Sequence, residues 1–135
     1  MTQKEKQLLL KELCMRIPYR TFVCLNPGAY NKPETCILTG IHGEKVHLNV
    51  DSDPFRIDHI KPYLRPMSSM TEEEKAFLDA TKETEYTQTG LTGDGILTLE
   101  SYDYLNSIHV DYHGLIPMGL ALEAPEDMYK TVEYE

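Results

Sequence analysis

The sequence predicts an α+β fold: a small antiparallel sheet, SH3-like or half-barrel in character, built from the N-terminal half and flanked by about three helices. Three observations predict it. Residues 35–50 alternate apolar and polar side chains on either side of a glycine turn, the signature of a hairpin. Three other stretches, near 2–15, 71–82 and 99–109, space their apolar residues as helices do and start on a capping threonine. The length, 135 residues, suits one domain that buries its own core.

The elements follow in order. Thr2 caps the first helix with Glu5 as its capping-box partner, and Leu9, Leu10 and Leu13 form its apolar face until Ile17-Pro18 ends it. Residues 20–26 are rich in β-branched and aromatic side chains and read as a strand; residues 26–34, opening on Asn26-Pro27-Gly28, read as an exposed loop. The hairpin turns at His42-Gly43-Glu44, Asp51-Ser52-Asp53-Pro54 makes a further turn, and Phe55, Ile57 and Ile60 predict one more short strand ending at Lys61-Pro62. Pro62 and Pro66 bracket Tyr63-Leu64-Arg65 as a rigid connector or single turn.

The second half is expected to cover the sheet. Ser69 or Thr71 caps a helix at 71–82 whose first turn holds Glu72, Glu73 and Glu74, with Met70, Phe77 and Leu78 as its apolar stripe. Residues 83–96 read as a flexible loop. Thr98 caps a third helix with Leu99, Tyr102, Leu105 and Ile108 on one face and Gly114 at its end. Residues 114–125 should lie as irregular chain on the core, and 126–135 should fray as an acidic tail. The whole is expected to be one domain, with 1–66 as helix plus sheet and 67–125 as the cover.

Charge and cysteine usage exclude whole function classes. The net charge is −9 and is divided unevenly: residues 1–70 carry +3 and residues 71–135 carry −12. Such a surface opposes general binding to nucleic acid or to anionic membranes. No apolar run is long enough to span a bilayer, and the polar start has no secretory h-region, so the expectation is a cytoplasmic protein. Cys14, Cys24 and Cys36 form no CxxC pair and read as three buried thiols.

Chemistry-bearing patterns are few. His109 and His113 lie four apart, on one face if helical, with Asp111 between them; a third metal ligand would have to come from His42, His47 or His59. Val110 stands where zinc hydrolases of the H-E-x-x-H kind need Glu. There is no nucleophile elbow and no phosphate-binding lysine loop. Lys61, Arg65 and Arg56 surround Tyr63 and could meet a single nucleic-acid strand, although Lys61 and Arg65 can instead pair with Glu72–Glu74. Tyr102, Tyr104, Tyr112, Tyr129 and Tyr134 fall in the acidic half, where tyrosines among carboxylates suit a basic protein partner.

Three stretches also carry a resemblance: KELCMRIPY at 11–19, KPYLRPMSSMTEEE at 61–74, and HVDYHGLI at 109–116 running into GLALEAP at 119–125. Together they are similar to a group of small uncharacterised proteins from prophages and mobile elements of anaerobic gut bacteria. The resemblance implies an origin; it brings no reaction, cofactor or site residue with it. The similar proteins carry Trp where this chain has Tyr104, and Arg where it has His113, which weakens a metal role at that position.

The reading that follows is a non-enzymatic interaction module without a cofactor, which binds a protein partner of basic character. Tyr63, Arg65, Asp111 and Tyr112 are its candidate binding residues. The alternatives are a metal-dependent hydrolase using His109 and His113, and a single-strand nucleic-acid binder using the sheet.

Overall fold

The computed structural model describes residues 2–25, 34–49, 54–82, 86–87, 90–91 and 97–129. In chain order its elements are α1 (Gln3–Arg16), β1 (Phe22–Leu25), β2 (Glu34–His42), β3 (Lys45–Leu48), β4 (Phe55–Arg56), β5 (Ile60–Leu64), α2 (Glu72–Thr81), β6 (Tyr86–Thr87), β7 (Gly90–Leu91), α3 (Leu99–Ser107) and β8 (Leu122–Glu123). Six strands form one sheet in the order β4-β3-β2-β1-β5-β8; β6 and β7 pair only with each other. Every neighbouring pair is antiparallel except β5 with β8. The α+β class and the three helices agree with the sequence. No helix among the described residues is long and apolar enough to cross a membrane.

Local chemistry explains the element starts. Thr2 Oγ1 accepts from the Glu5 amide while the Glu5 carboxylate accepts from the Thr2 amide, so two amides left open at the helix start are satisfied. Thr71 and Glu74 repeat the arrangement at α2. The β2–β3 hairpin turns on Gly43, whose φ of +63° a side chain would strain.

One face of the sheet lies against α1. Leu9 and Leu13 meet Val23, Leu38, Ile60 and Leu64, and Leu115 and Leu120 from the irregular segment close the same cluster. Each such side chain contributes about 1.5–3 kcal/mol when fully buried. A smaller cluster of Met70, Leu78, Leu105 and Val110 joins α2 to α3. These helices run antiparallel: Thr81 bonds Ser101 at one end, Phe77 packs at a tilt on Tyr104 in the middle, and Arg65 ties Glu74 to the Ile108 carbonyl at the other.

The structure corrects several expectations. Residues 55–60 do not form one strand: β4 stops at Arg56, a helical turn spans Ile57–His59, and β5 begins at Ile60. The expected connector Tyr63-Leu64-Arg65 instead continues the sheet: Tyr63 and Leu64 end β5, Arg65 bridges Val110 just beyond it, and Pro62 lies inside the strand opposite Val23. Proline is tolerated there because β8 reaches only Tyr63 and Leu64, so that side of β5 is still an edge at Pro62. Helix α3 ends at Ser107 rather than near Gly114, and it turns Ser101, Leu105 and Asn106 inward while Leu99 is 84% exposed and Tyr102 lies at the surface. Phe77 is 54% exposed, so it is not part of a buried stripe. Cys14 is exposed; only Cys24 and Cys36 are buried. The segment 126–129 is anchored rather than frayed, through Tyr129. The loop expected at 26–34 and the turn at 51–53 lie outside the described residues apart from Glu34, which opens β2. So do residues 83–85, 88–89, 92–96 and 130–135.

Candidate functional site

The end of α3 organises the polar centre of the molecule. The His109 amide bonds the Asn106 carbonyl and the Val110 amide bonds the Leu105 carbonyl, while Val110 and Leu105 pack together. This is a Schellman ending with histidine in the left-handed position usually given to glycine; His109 has φ +63°. The chain then pairs back onto the end of β5. Arg65 N donates to His109 O, and Asp111 N donates to Arg65 O.

Around this bridge the expected binding residues go separate ways. All five Arg65 N–H groups are engaged, by Glu74, Ser69 and the Ile108 carbonyl, so none remains for a phosphate. The paired Arg65 guanidinium holds the Glu74 carboxyl below its ordinary range. Asp111 is buried, and its carboxylate accepts from the Leu115 and Ile116 amides at 2.7 and 2.9 Å. It shapes the turn that carries Gly114 and is not presented outward. Tyr112 donates to Asn106 Oδ1 at 2.8 Å and lies under the Arg16 guanidinium. Tyr63 is half-buried on the sheet, and burial raises its phenol, helped by the neighbouring Cys24. Tyr63, Arg65, Asp111 and Tyr112 therefore do not line one surface.

His109 and His113 do not share a helical face, because α3 has ended before either. His109 is buried and stacked on Tyr129, with ring centroids 3.7 Å apart. His113 Nδ1 lies 2.6 Å from Glu12 Oε1. Among the described residues no group of three or more His, Cys, Asp or Glu is placed to hold a metal ion.

Sequence reasoning missed the most buried polar feature. Glu12 and Arg16, both fully buried on α1, form an ion pair; Arg16 also donates to the Val110 carbonyl. Their spacing of four, with apolar neighbours Leu9 and Leu13, was the available signal. Tyr129 was missed as well. Its hydroxyl accepts from the Phe22 amide at 2.7 Å and donates to the Tyr63 carbonyl at 2.9 Å, bridging β1 and β5. Tyr129→Phe leaves both backbone groups without that partner, with an expected loss of about 1–2 kcal/mol in urea unfolding. An unchanged midpoint would show that water replaces the hydroxyl.

Two open surfaces of the acidic second half bring tyrosine and carboxylates together. The first is a ridge where α2 meets α3. Phe77 and Tyr104 pack with ring centroids 4.4 Å apart and planes tilted by 31°, Glu73 lies one turn before Phe77, and Glu100 one turn before Tyr104. Glu73, Glu100 and Asp103 make no ion pair among the described residues. The second is a cleft of about 770 Å³ at the end of that ridge, between Arg65, Glu74, His109, Glu123, Glu126 and Tyr129. Comparison with protein-family models, with curated proteins and with solved structures finds no match for this chain.

Proposed function

We propose that the chain is a non-enzymatic protein-binding module of mobile-element type, which offers the α2–α3 ridge to a basic amphipathic segment of its partner. One observation carries this reading. Phe77 is a large aromatic, 54% exposed and packed at a tilt on Tyr104, near Glu73, Glu100 and Asp103, which make no ion pair among the described residues. An exposed aromatic supplies contact area at low entropic cost, while uncompensated carboxylates steer a cationic partner and select against an anionic one. The −12 charge of residues 71–135 extends the same field.

The probe is a synthetic helix with leucine on one face and lysine on the other, set against a glutamate-for-lysine counterpart. Amide shifts in labelled protein should centre on Phe77, Asp103 and Tyr104 with the lysine peptide and be absent with the glutamate one. Raising salt from about 50 to about 500 mM should weaken binding severalfold. Phe77→Ser, and separately Glu73→Lys with Glu100→Lys, should each lower affinity about tenfold. Binding that ignores Phe77→Ser would overturn the reading.

A further inference from the structure

The cleft at the end of the ridge contains a side chain that the fold leaves unsatisfied. His109 is 9% exposed and lines the cleft. Its Nδ1 is sealed from solvent without a hydrogen-bond partner. Its Nε2 likewise makes no hydrogen bond within the described residues. Buried polar groups are nearly always paired, and an orphan is where a ligand group or ordered water is expected. The ring is also neutral at pH 7. Burial, with Arg16 and Arg65 nearby, lowers its pKa to about 4. With Nδ1 sealed, Nε2 is the ring nitrogen that the cleft can reach, and it donates or accepts one hydrogen bond according to tautomer, which suits one side of a peptide group.

The charge of the cleft selects among ligands. Glu74, Glu123 and Glu126 line it against one guanidinium, and that guanidinium has spent every donor on Glu74, Ser69 and Ile108. Ser107 and Ile108 bring the carboxyl end of α3 to the same wall, where the helix dipole is negative. Among the described residues an anion therefore meets no free cation, while a cation meets two exposed carboxylates, Glu123 and Glu126. The volume accommodates a short peptide segment rather than a lone ion.

We propose that this cleft receives an arginine or lysine of the basic segment bound on the ridge, its cation between Glu123 and Glu126 and its flanking peptide group on His109. The proposal rests on the ridge reading: the cleft continues the ridge through Glu74 on α2 and Ser107 at the end of α3. It adds a specificity pocket that the ridge alone does not supply.

The probe is the capped tripeptide Gly-Arg-Gly, compared with the same tripeptide carrying citrulline, a neutral shape match. In the full chain, the His109 ring resonances should shift saturably with the arginine peptide. The response should be at least about fivefold weaker with citrulline, and similarly weaker in the Glu123→Gln/Glu126→Gln variant. Both glutamates are exposed, so an otherwise unchanged spectrum verifies the fold. No His109 response up to about 10 mM peptide, or an equal response to citrulline, overturns the proposal. If the lysine helix moves Phe77 and Tyr104 while His109 and Tyr129 stay still, the ridge reading stands and the pocket falls. If the arginine tripeptide moves His109 but the helix never engages Phe77, the ridge reading falls, and with it the proposal that the pocket serves a segment bound there, leaving a cation site alone.

Discussion

Glu12→Ala should lower stability by about 3–5 kcal/mol, the range seen when one partner of a buried ion pair is removed. The substitution deletes little apolar surface. What it leaves is the Arg16 guanidinium, fully buried, with Nη1 already lacking a partner and only the Val110 carbonyl still accepting from Nη2. His113 loses its contact with Glu12 as well. Urea unfolding followed by circular dichroism measures the loss as a shift in midpoint at unchanged slope. The double substitution Glu12→Leu/Arg16→Met removes both charges and should recover most of the stability, because exchanging a buried pair for apolar side chains of similar volume is often neutral. A loss below about 1 kcal/mol in Glu12→Ala would mean that water reaches Arg16 after all.

The second large effect is acid sensitivity centred on His109. Its pKa is lowered from 6.5 to about 4 by burial first, then by Arg16 on α1 and Arg65 after β5. Tyr129 packs on the ring and, with its phenol raised by burial, stays neutral throughout. Above pH 6.5 both folded and unfolded chains hold the imidazole neutral, and its contribution is fully present. Between 6.5 and about 4 the unfolded chain takes up a proton that the folded chain refuses, so stability falls with pH. The accumulated loss is about 3 kcal/mol at pH 4. Carboxylates titrate at the lower end of this window too, so the informative quantity is the difference from His109→Asn, which keeps a residue tolerant of the left-handed backbone. That variant should show a shallower fall between pH 6.5 and 4. Parallel curves would place the acid sensitivity elsewhere.

Much of the fold was legible because short-range chemistry governs it. Thr2 with Glu5, the Gly43 turn and the helix expected at 71–82 each depend on groups within four residues of one another, and all three appear, the helix as Glu72–Thr81. Failures occurred where distant packing overrides local pattern. Leu99, Tyr102 and Leu105 have helical spacing and Leu105 is buried as expected, but docking on α2 turns Ser101 and Asn106 inward beside it and leaves Leu99 and Tyr102 at the surface, and the hydroxyl bond to Thr81 helps bury Ser101. The helix stop was assigned to Gly114 because glycine is the usual left-handed residue; a histidine stacked on Tyr129 holds that conformation instead, through a partner 20 residues away. Arg65 illustrates the converse. Its pairing with the Glu72–Glu74 run was legible, yet that pairing also removes it from the list of free cations. The acidic, tyrosine-bearing character of the second half was readable from composition. Which aromatics stay at the surface, Phe77 above all, was not.

The hydroxyl of Tyr129 joins backbone at Phe22 and Tyr63, and Arg16 reaches Val110, so the chain closes on itself over separations of 107 and 94 residues. Such closures are entropically late, and folds that depend on them form slowly. On a ribosome adding roughly 5–20 residues per second, Phe22 waits about 5–20 s for its partner to be made. Until Val110 is made the Glu12–Arg16 pair has no carbonyl over it, and until Tyr129 is made the seam between β1 and β5 has no tyrosine across it. The nascent chain therefore spends much of its synthesis with a charged, half-built interior, which is closed only as Val110 and then Tyr129 are added.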